Sequence, residues 1–346
     1  MRTAKQRRPH YNLLMGNHTS TGLLRDRFGR SIDYLRLSVT DRCDLRCTYC
    51  LPKGFRGFEE PAHWLTFDQI ERLMAVFVRL GTSRIRMTGG EPLLRRGLPE
   101  LAARLAALPG LRDLSLSTNA TQLARHAPAL RAAGVTRINV SLDSLDRACM
   151  ETITGSDSLP KILDGLRAAK AAGFDPIKIN MVAMRGVNEH QIDQMVAFCI
   201  EQRFILRLIE AMPVGAGGRA TEWLDLGPVQ ARLRRQFGLV AQASELGGGP
   251  ARYLATPDGA ASIGFITPMS QHFCATCNRV RLAVGGTLYL CLGQEQKVEF
   301  GPLLRDGATD AELEAAIRAA IELKPREHDF NQTPGRIVRF MAQTGG

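Results

Sequence analysis

From residue 33 onward the chain alternates short runs rich in Val, Ile and Leu with longer amphipathic stretches. The short runs are DYLRLSV, IRM, DLSLS, RINVSLD, PIKINMVA and ILRLIEA, and their length and aliphatic content predict strands. Between them apolar residues recur at helical spacing, as at Phe67, Ile70, Leu73, Met74 and Phe77. Thr66, with Gln69 three positions on, reads as a capping box that starts this helix. Further helices are expected over 97–108, 121–133, 160–172 and 189–202, with Gly134 and Gly173 standing where C-caps belong.

Six strand–helix units imply an α/β fold built on a parallel sheet with right-handed crossovers. Six is too few for the closed eight-unit barrel. The expected architecture is therefore an incomplete, open-sided (β/α)6 TIM-type barrel, with a doubly wound sheet as the alternative. Near residue 240 the texture turns Gly-rich and irregular (ASELGGGPARY), which sets the expected boundary. Residues 22–240 then form the partial barrel. Residues 241–346, with short strand-like runs and a helix near 309–323, form a C-terminal extension closing the open side. Residues 1–21 are basic, no acid occurs before Asp26, and a frayed tail is expected there.

Composition changes this picture in two ways. With 45% hydrophobic and 23% charged residues the chain reads as an ordinary globular protein, without a bilayer-spanning run or signal-peptide core, so a cytoplasmic location is expected. The net charge of +11 suggests a polyanionic partner, or simply an Arg-rich solvated surface. Aromatic content is only 6%, with no basic tract interleaved with aromatics, so nucleic acid is not expected and a phosphorylated small molecule is.

The eight cysteines are unevenly placed, and without a secretory signal they do not suggest disulfides. Cys149 and Cys199 stand alone in helical-looking segments and read as small core hydrophobes. Cys43, Cys47 and Cys50 follow the first predicted strand as C-x3-C-x2-C, with Tyr49 before the last. Structural zinc and electron-transfer [4Fe–4S] clusters both take four ligands, and here there are three. Three thiolates on a four-iron cluster leave one iron open to S-adenosylmethionine (SAM), which can receive an electron at its sulfonium. The spacing resembles the radical SAM signature. Thr88-Gly89-Gly90-Glu91-Pro92 follows the second strand. Its glycines permit close backbone approach, and Glu91 offers an acceptor for an ammonium group.

Cys274, Cys277 and Cys291 form a second trio. It reads as a cluster with an open iron for a substrate atom, as a zinc site completed by His272, or as a cluster with a distant fourth ligand. Arg279 and Arg281, two apart in an extended run, share one face and suit bidentate recognition of phosphate.

With LRLSVTDRCDLRCTYC, RMTGGEPL, LSTNA, INVSLDS, KINMVAMRGVN, RLIEAMPVG, CATCNRVRL with Cys291 and the terminal Gly345-Gly346, the chain resembles the GTP 3′,8-cyclase family. This is the molybdenum cofactor biosynthesis protein A family of the radical SAM superfamily, and the resemblance runs from about residue 22 to the C-terminus. It implies two [4Fe–4S] clusters, the first cleaving SAM and the second contacting the guanine of GTP. It implies that Tyr49, Gly90, Ser141 and Met212 line the SAM site. Arg36, Arg86, Ser117, Lys178, Arg279, Val280 and Arg281 are implied to meet GTP, with Arg207 at a further phosphate-side position. The implied reaction removes hydrogen from C3′ of GTP, bonds C3′ to C8, and reduces the product to 3′,8-cyclo-7,8-dihydro-GTP. A low-potential donor of flavodoxin or ferredoxin type, cyclic pyranopterin monophosphate synthase as the next enzyme, and a homodimer are implied with it. The Gly-Gly tail is implied to reach the active site. Ala120 stands where relatives typically carry glycine, which puts that turn in question.

Overall fold

The computed structural model describes residues 23–345, apart from 52, 53, 59, 243–247, 334 and 336. The expected basic tail 1–21 and the last glycine, Gly346, lie outside the described residues. Six strands follow the predicted rhythm: β1 Tyr34–Ser38, β2 Arg84–Thr88, β3 Asp113–Thr118, β4 Arg137–Ser141, β5 Lys178–Ala183 and β6 Ile205–Glu210. Helices α1 Phe67–Arg79, α2 Leu98–Ala106, α3 Leu123–Ala132, α4 Arg147–Thr154, α5 Leu159–Ala171 and α6 Ile192–Gln202 connect them. Thr66 and Gln69 form the expected capping box on α1. Gly134 and Gly173 adopt φ of +87° and +80° just past α3 and α5, the left-handed turn that ends a helix. Helix α4 has no counterpart in the periodicity reading. It starts where Asp146 accepts from the Cys149 N–H and ends at left-handed Gly155.

The remaining elements are α7 Gly215–Ala220, α8 Leu226–Gln236, β7 Val240–Ala241, β8 Arg252–Ala255, β9 Ser262–Ile266, β10 Arg279–Leu282, β11 Thr287–Tyr289, β12 Lys297–Glu299, α9 Gly301–Arg305, α10 Asp310–Glu322 and α11 Met341–Thr344. All twelve strands form one sheet, ordered β12-β11-β10-β1-β2-β3-β4-β5-β6-β9-β8-β7. Strands β1 to β6 are parallel and adjacent in sequence order. Beyond them β10 pairs parallel with β1 and β9 parallel with β6. Residues after 240 thus add strands to both edges of the same sheet rather than starting a new one.

Within the strands, side chains alternate strictly between two faces. One face carries Leu35, Ile85, Leu116, Val140, Ile179 and Leu206, all fully buried. They pack with the apolar faces of the connecting helices in one continuous core. At about 1.5–3 kcal/mol per buried aliphatic side chain, this face holds the fold. The other face carries Arg36, Arg86, Ser115, Asn139, Lys178 and Arg207, which no layer of helices covers. Residues of β1 and β6 line the same cavity, so the sheet is curled and its polar face looks inward.

Cys199 is buried in the core as expected. Cys149 is not: it is partly exposed on α4, its thiol directed at the Val187 carbonyl. The apolar face of this short helix is taken by Met150 and Ile153, which leaves Cys149 at its margin. Among the described residues no helix is long and apolar enough to cross a membrane.

Candidate active site

The Cys43–Cys50 loop leaves the C-terminal end of β1, where a parallel sheet with helical crossovers builds its sites. Its shape comes from backbone pairing. The N–H groups of Arg46 and Thr48 donate to Thr154 and Ile153 on α4, and those of Cys50 and Leu51 donate to the Cys47 carbonyl. On the other side the glycine loop after β2 runs along it, with Gly90 N–H donating to Thr40 and Glu91 N–H to Arg42. A Cβ on Gly90 would stand 2.3 Å from the Arg42 carbonyl oxygen, and one on Gly89, whose φ is +153°, 2.2 Å from that of Thr40. The glycines are therefore needed for contact with the cysteine loop itself. A Cβ on Gly217 of α7 would likewise stand 2.3 Å from the Thr48 oxygen. Replacing Gly90 with Ala is expected to cost about 1–3 kcal/mol and to loosen iron at the first trio alone. Iron content of anaerobically reconstituted protein checks this, and full retention would remove the close-packing argument.

Glu91 braces its own loop. Its carboxylate is fully buried and accepts from Leu93 N–H, Thr118 Oγ1 at 2.7 Å and Asn119 N–H at 2.6 Å. It ties the glycine loop to the turn after β3. Burial pushes its pKa up to about 7, against the pull of these donors. In that turn Ala120 holds φ at +62°, so the glycine-type conformation is kept by a residue that pays a steric penalty of roughly 1–2 kcal/mol for it.

All eight cysteines are free thiols. Burial pushes Cys43 and Cys50 up to about 12 and holds Cys47 well above the usual thiol range, with Glu91, Asp44 and Asp143 adding negative charge nearby. Cys43 accepts from the Leu45 N–H, and the Arg279 guanidinium donates to the Cys277 sulfur at 3.9 Å. Backbone N–H groups of Ala342, His328, Arg279 and Gly293 favour the thiolates of Cys50, Cys274, Cys277 and Cys291 respectively. Such donors are what iron–sulfur thiolates use. Among the described residues no three His, Cys, Asp or Glu side chains converge as ligands of a single metal ion do. This disfavours the zinc alternative with His272. The thiolates of a four-iron cluster each take a separate iron and need no such convergence. Both donor sets fit a cluster.

Beside the second trio lies one cavity, open to solvent at its mouth, that reaches the first cysteine loop at Tyr49. Its walls include Tyr49, Ser141 and Met212 on the side of the first cysteine loop, and Cys274, Cys277 and Cys291 opposite. Arg36, Arg86, Arg207, Arg279 and Arg281 lie between them. The strand register sets Arg281, Arg36 and Arg86 side by side on β10, β1 and β2. Val280 also lines the cavity, but alternation sends its buried side chain away from that of its neighbours, so it offers backbone. Cys43, Cys47, Cys50, Gly90, Glu91, Ser117 and Lys178 are absent from the lining. Ser117 sits beside Asn139 in register, and Asn139 beside Lys178, one row further along the inner face.

The cations are poorly compensated. The Nε atoms of Arg36 and Arg207 are buried without a hydrogen-bond partner. Burial, then Arg281 and Arg86, hold Arg36 well below the usual guanidinium value. Burial, then Arg279 and Arg339, bring Arg281 to about 9. Lys178 falls to about 6 through burial and the charges of Arg207, Arg137 and Arg86. Buried like charges cost free energy until an anion joins them. At a pH of about 7.5 Lys178 is thus neutral in the free protein, and a bound polyphosphate restores its charge. Binding of GTP is expected to take up about one proton at that pH and to weaken as pH rises. Calorimetry in buffers of different protonation enthalpy measures this. An uptake unchanged in Lys178→Met would sink the assignment.

Several site residues escaped the sequence reading. Asp143, buried, accepts from Tyr49 Oη at 2.7 Å and Val182 N–H at 2.8 Å, which fixes the cysteine loop to β5. Asn139 accepts from Arg207, and Asn180 and Tyr34 line the cavity. The polar alternation of RINVS and KINMV was the signal that could have found Asn139 and Asn180. At the tail, Arg281 donates to the Gly345 carbonyl. A Cβ at Gly345, with φ at +74°, would meet Thr88 at 2.2 Å.

Comparison with known proteins agrees with this layout. The Radical SAM superfamily model matches residues 37–199, and the Molybdenum Cofactor Synthesis C model residues 204–330. The structure of Streptococcus suis SuiB bound to S-adenosylmethionine shares the fold, with a TM-score of 0.56 and 14% identity over 83% of this chain and 68% of that one. Fold and site together define a radical SAM protein. The GTP 3′,8-cyclase of Paracoccus denitrificans (strain Pd 1222) is 45% identical over 332 residues, 93% of this chain and 95% of the relative. That of Pseudomonas putida KT2440 is 45% identical over 327 residues, 93% and 97% of the two. The chain belongs to the GTP 3′,8-cyclase family.

Proposed function

We propose that this chain converts GTP to 3′,8-cyclo-7,8-dihydro-GTP, the first step of molybdenum cofactor biosynthesis. The observation that carries the reading is the row of under-compensated cations in a cavity that the second three-thiol set lines and that reaches Tyr49 of the first cysteine loop. A triphosphate is the anion that such a row accommodates, and 45% identity over nearly the whole chain to GTP 3′,8-cyclases points to the same substrate.

Cys43, Cys47 and Cys50 would hold the [4Fe–4S] cluster, which with SAM supplies the radical that starts the reaction. The chain's own residues do the positioning. Tyr49, braced by Asp143, keeps the cysteine loop against β5. Ser141 and Met212 bound the adjoining SAM space, together with the close-packed backbone that Gly89 and Gly90 allow. Arg36, Arg86, Arg207, Arg279 and Arg281 neutralise the triphosphate, with Ser117 and Lys178 in the next row. Holding C3′ of the ribose at a fixed place, away from water, restricts the reaction to one hydrogen. Cys274, Cys277 and Cys291 would hold a second cluster, which supplies an open iron for the guanine. The same reading brings with it a low-potential flavodoxin or ferredoxin, cyclic pyranopterin monophosphate synthase as recipient of the product, and a homodimer. It also divides the work between residues 22–240, with the first trio, and 241–346, with the second.

An anaerobic assay tests it: reconstituted protein, SAM, dithionite and GTP, followed by mass analysis. Equal formation of 5′-deoxyadenosine and cyclised GTP is expected. Without 5′-deoxyadenosine the reaction class is wrong. With it but without GTP consumption, only the substrate is wrong.

A further inference from the structure

Lys324 follows α10 and is 1% exposed, among the largest fully buried side chains of the protein. Its Nζ donates to two carbonyls, that of Arg279 at 2.9 Å and that of Leu290 at 2.5 Å. The first is two residues from Cys277, and the second belongs to the peptide unit leading into Cys291. One ammonium therefore ties β10 to the Cys291 segment, two pieces of chain that must stand in fixed relation for Cys277 and Cys291 to share a cluster. No carboxylate pairs with Lys324 among the described residues. A buried ammonium held only by carbonyls lacks a counter-charge, and such groups are costly unless an anion lies near. The anions at hand are the sulfurs: Lys324 lines the same cavity wall as all three cysteines of the second trio. Its charge acts on two of them. Against burial, Arg279 and Lys324 bring Cys277 down to about 6, and Lys324 opposes the upward effect of burial on Cys291.

Of the neighbouring cations, Arg279 donates to the Cys277 sulfur at 3.9 Å, while Arg30 and Arg339 act on backbone. Arg30 donates to the Cys274 carbonyl at 2.8 Å, with Asp26 neutralising it at 2.6 Å. Arg339 donates to the Cys291 and Leu292 carbonyls, with Glu295 at 2.7 Å as its partner. Both are charge-balanced clamps. Lys324 alone of the three is left without an acid, and it is the one whose field reaches the thiols.

We propose that Lys324 is a positioning residue of the second cysteine trio, locking Cys277 and Cys291 into register and serving as the built-in counter-charge of the cluster they hold. The proposal rests on the reading of that trio as a cluster site. A fixed positive charge beside a cluster favours the reduced state, so Lys324 raises the second cluster's reduction potential.

The test uses the full-length chain with Cys43, Cys47 and Cys50 replaced by Ala, so that only a second cluster contributes. Iron and sulfide content, and an EPR-monitored reductive titration, are measured with Lys324 intact and as Lys324→Gln, Lys324→Met and Lys324→Arg. Lys324→Gln is expected to keep most of the iron and to move the midpoint to more negative potential. Lys324→Met is expected to lose both iron and midpoint, and Lys324→Arg to keep the midpoint near that of the parent. An unaltered midpoint in Lys324→Gln overturns the counter-charge role, and this holds even if Lys324→Met does not fold. Unaltered iron in a folded Lys324→Met overturns the clamp. If the parent with Lys324 intact binds no cluster, the trio reading has failed instead, a result distinct from either.

Discussion

Cys47→Ala is expected to abolish 5′-deoxyadenosine formation and GTP cyclisation together, by more than about 10³-fold, the scale on which loss of an essential group acts. The fold of the loop should survive. Its turn is made by the Cys47 carbonyl, which accepts from Cys50 and Leu51, and its flanks by the bonds of Arg46 and Thr48 to α4, none of which uses the thiol. Iron content should fall by about half if the second trio fills independently. Binding of GTP should persist, because the arginines belong to other strands. Cys274→Ala offers the contrast: cyclisation should vanish while some uncoupled SAM cleavage remains. The pair of variants separates the two trios. If Cys47→Ala still produced 5′-deoxyadenosine, the first trio would not be the site of SAM cleavage.

Arg36→Met is expected to act with opposite sign on binding and on stability. Arg36 has Arg281 and Arg86 beside it in register, and its Nε is buried without a partner. Removing one partner of a desolvated charge–phosphate contact typically costs about 2–5 kcal/mol, so GTP should bind about 30- to 5 × 10³-fold more weakly. In the free protein the same change removes a like-charge neighbour and keeps the volume. The free protein should therefore gain about 1 kcal/mol, or roughly 1–2 °C in Tm. A structural arginine would behave oppositely, with a lower Tm and little change in binding. Thermal melts with and without GTP, alongside titration of GTP, distinguish the two. A lowered Tm in the free protein would refute the view that this row of cations is held in readiness for an anion.

Much of the fold was legible because its signals are local. The Thr66–Gln69 box, the helix-ending glycines and the six strand runs depend on neighbours a few residues apart, and all reappear in the structure. Helix α4 showed only as a helical-looking segment around Cys149, since eight residues are too few to display a period. Glu91 was only half legible. Its type and place are visible, but whether its carboxylate faces a ligand or Thr118 and Asn119 depends on the turn after a different strand. The same holds for the glycines, whose close partner is the cysteine loop. Cys149 and Cys199 look alike in sequence, yet only one falls on a helix face that the core covers.

By itself the sequence determined the chemistry on offer: two sets of three thiols, an excess of arginine, and strands whose polar positions recur every second residue. Those properties are carried by single side chains and short spacings. Only the tertiary structure decided that the second trio and Tyr49 of the first cysteine loop line one cavity. That depends on β9 and β10 joining opposite edges of the sheet, on the register that lines up Arg281, Arg36 and Arg86, and on curling that turns the polar face inward. It also brought Arg30, Lys324 and Arg339 to the second trio from three distant parts of the chain. Such contacts are set by strand pairing and closure, and a shift of one residue in register would send every one of these cations to the opposite face.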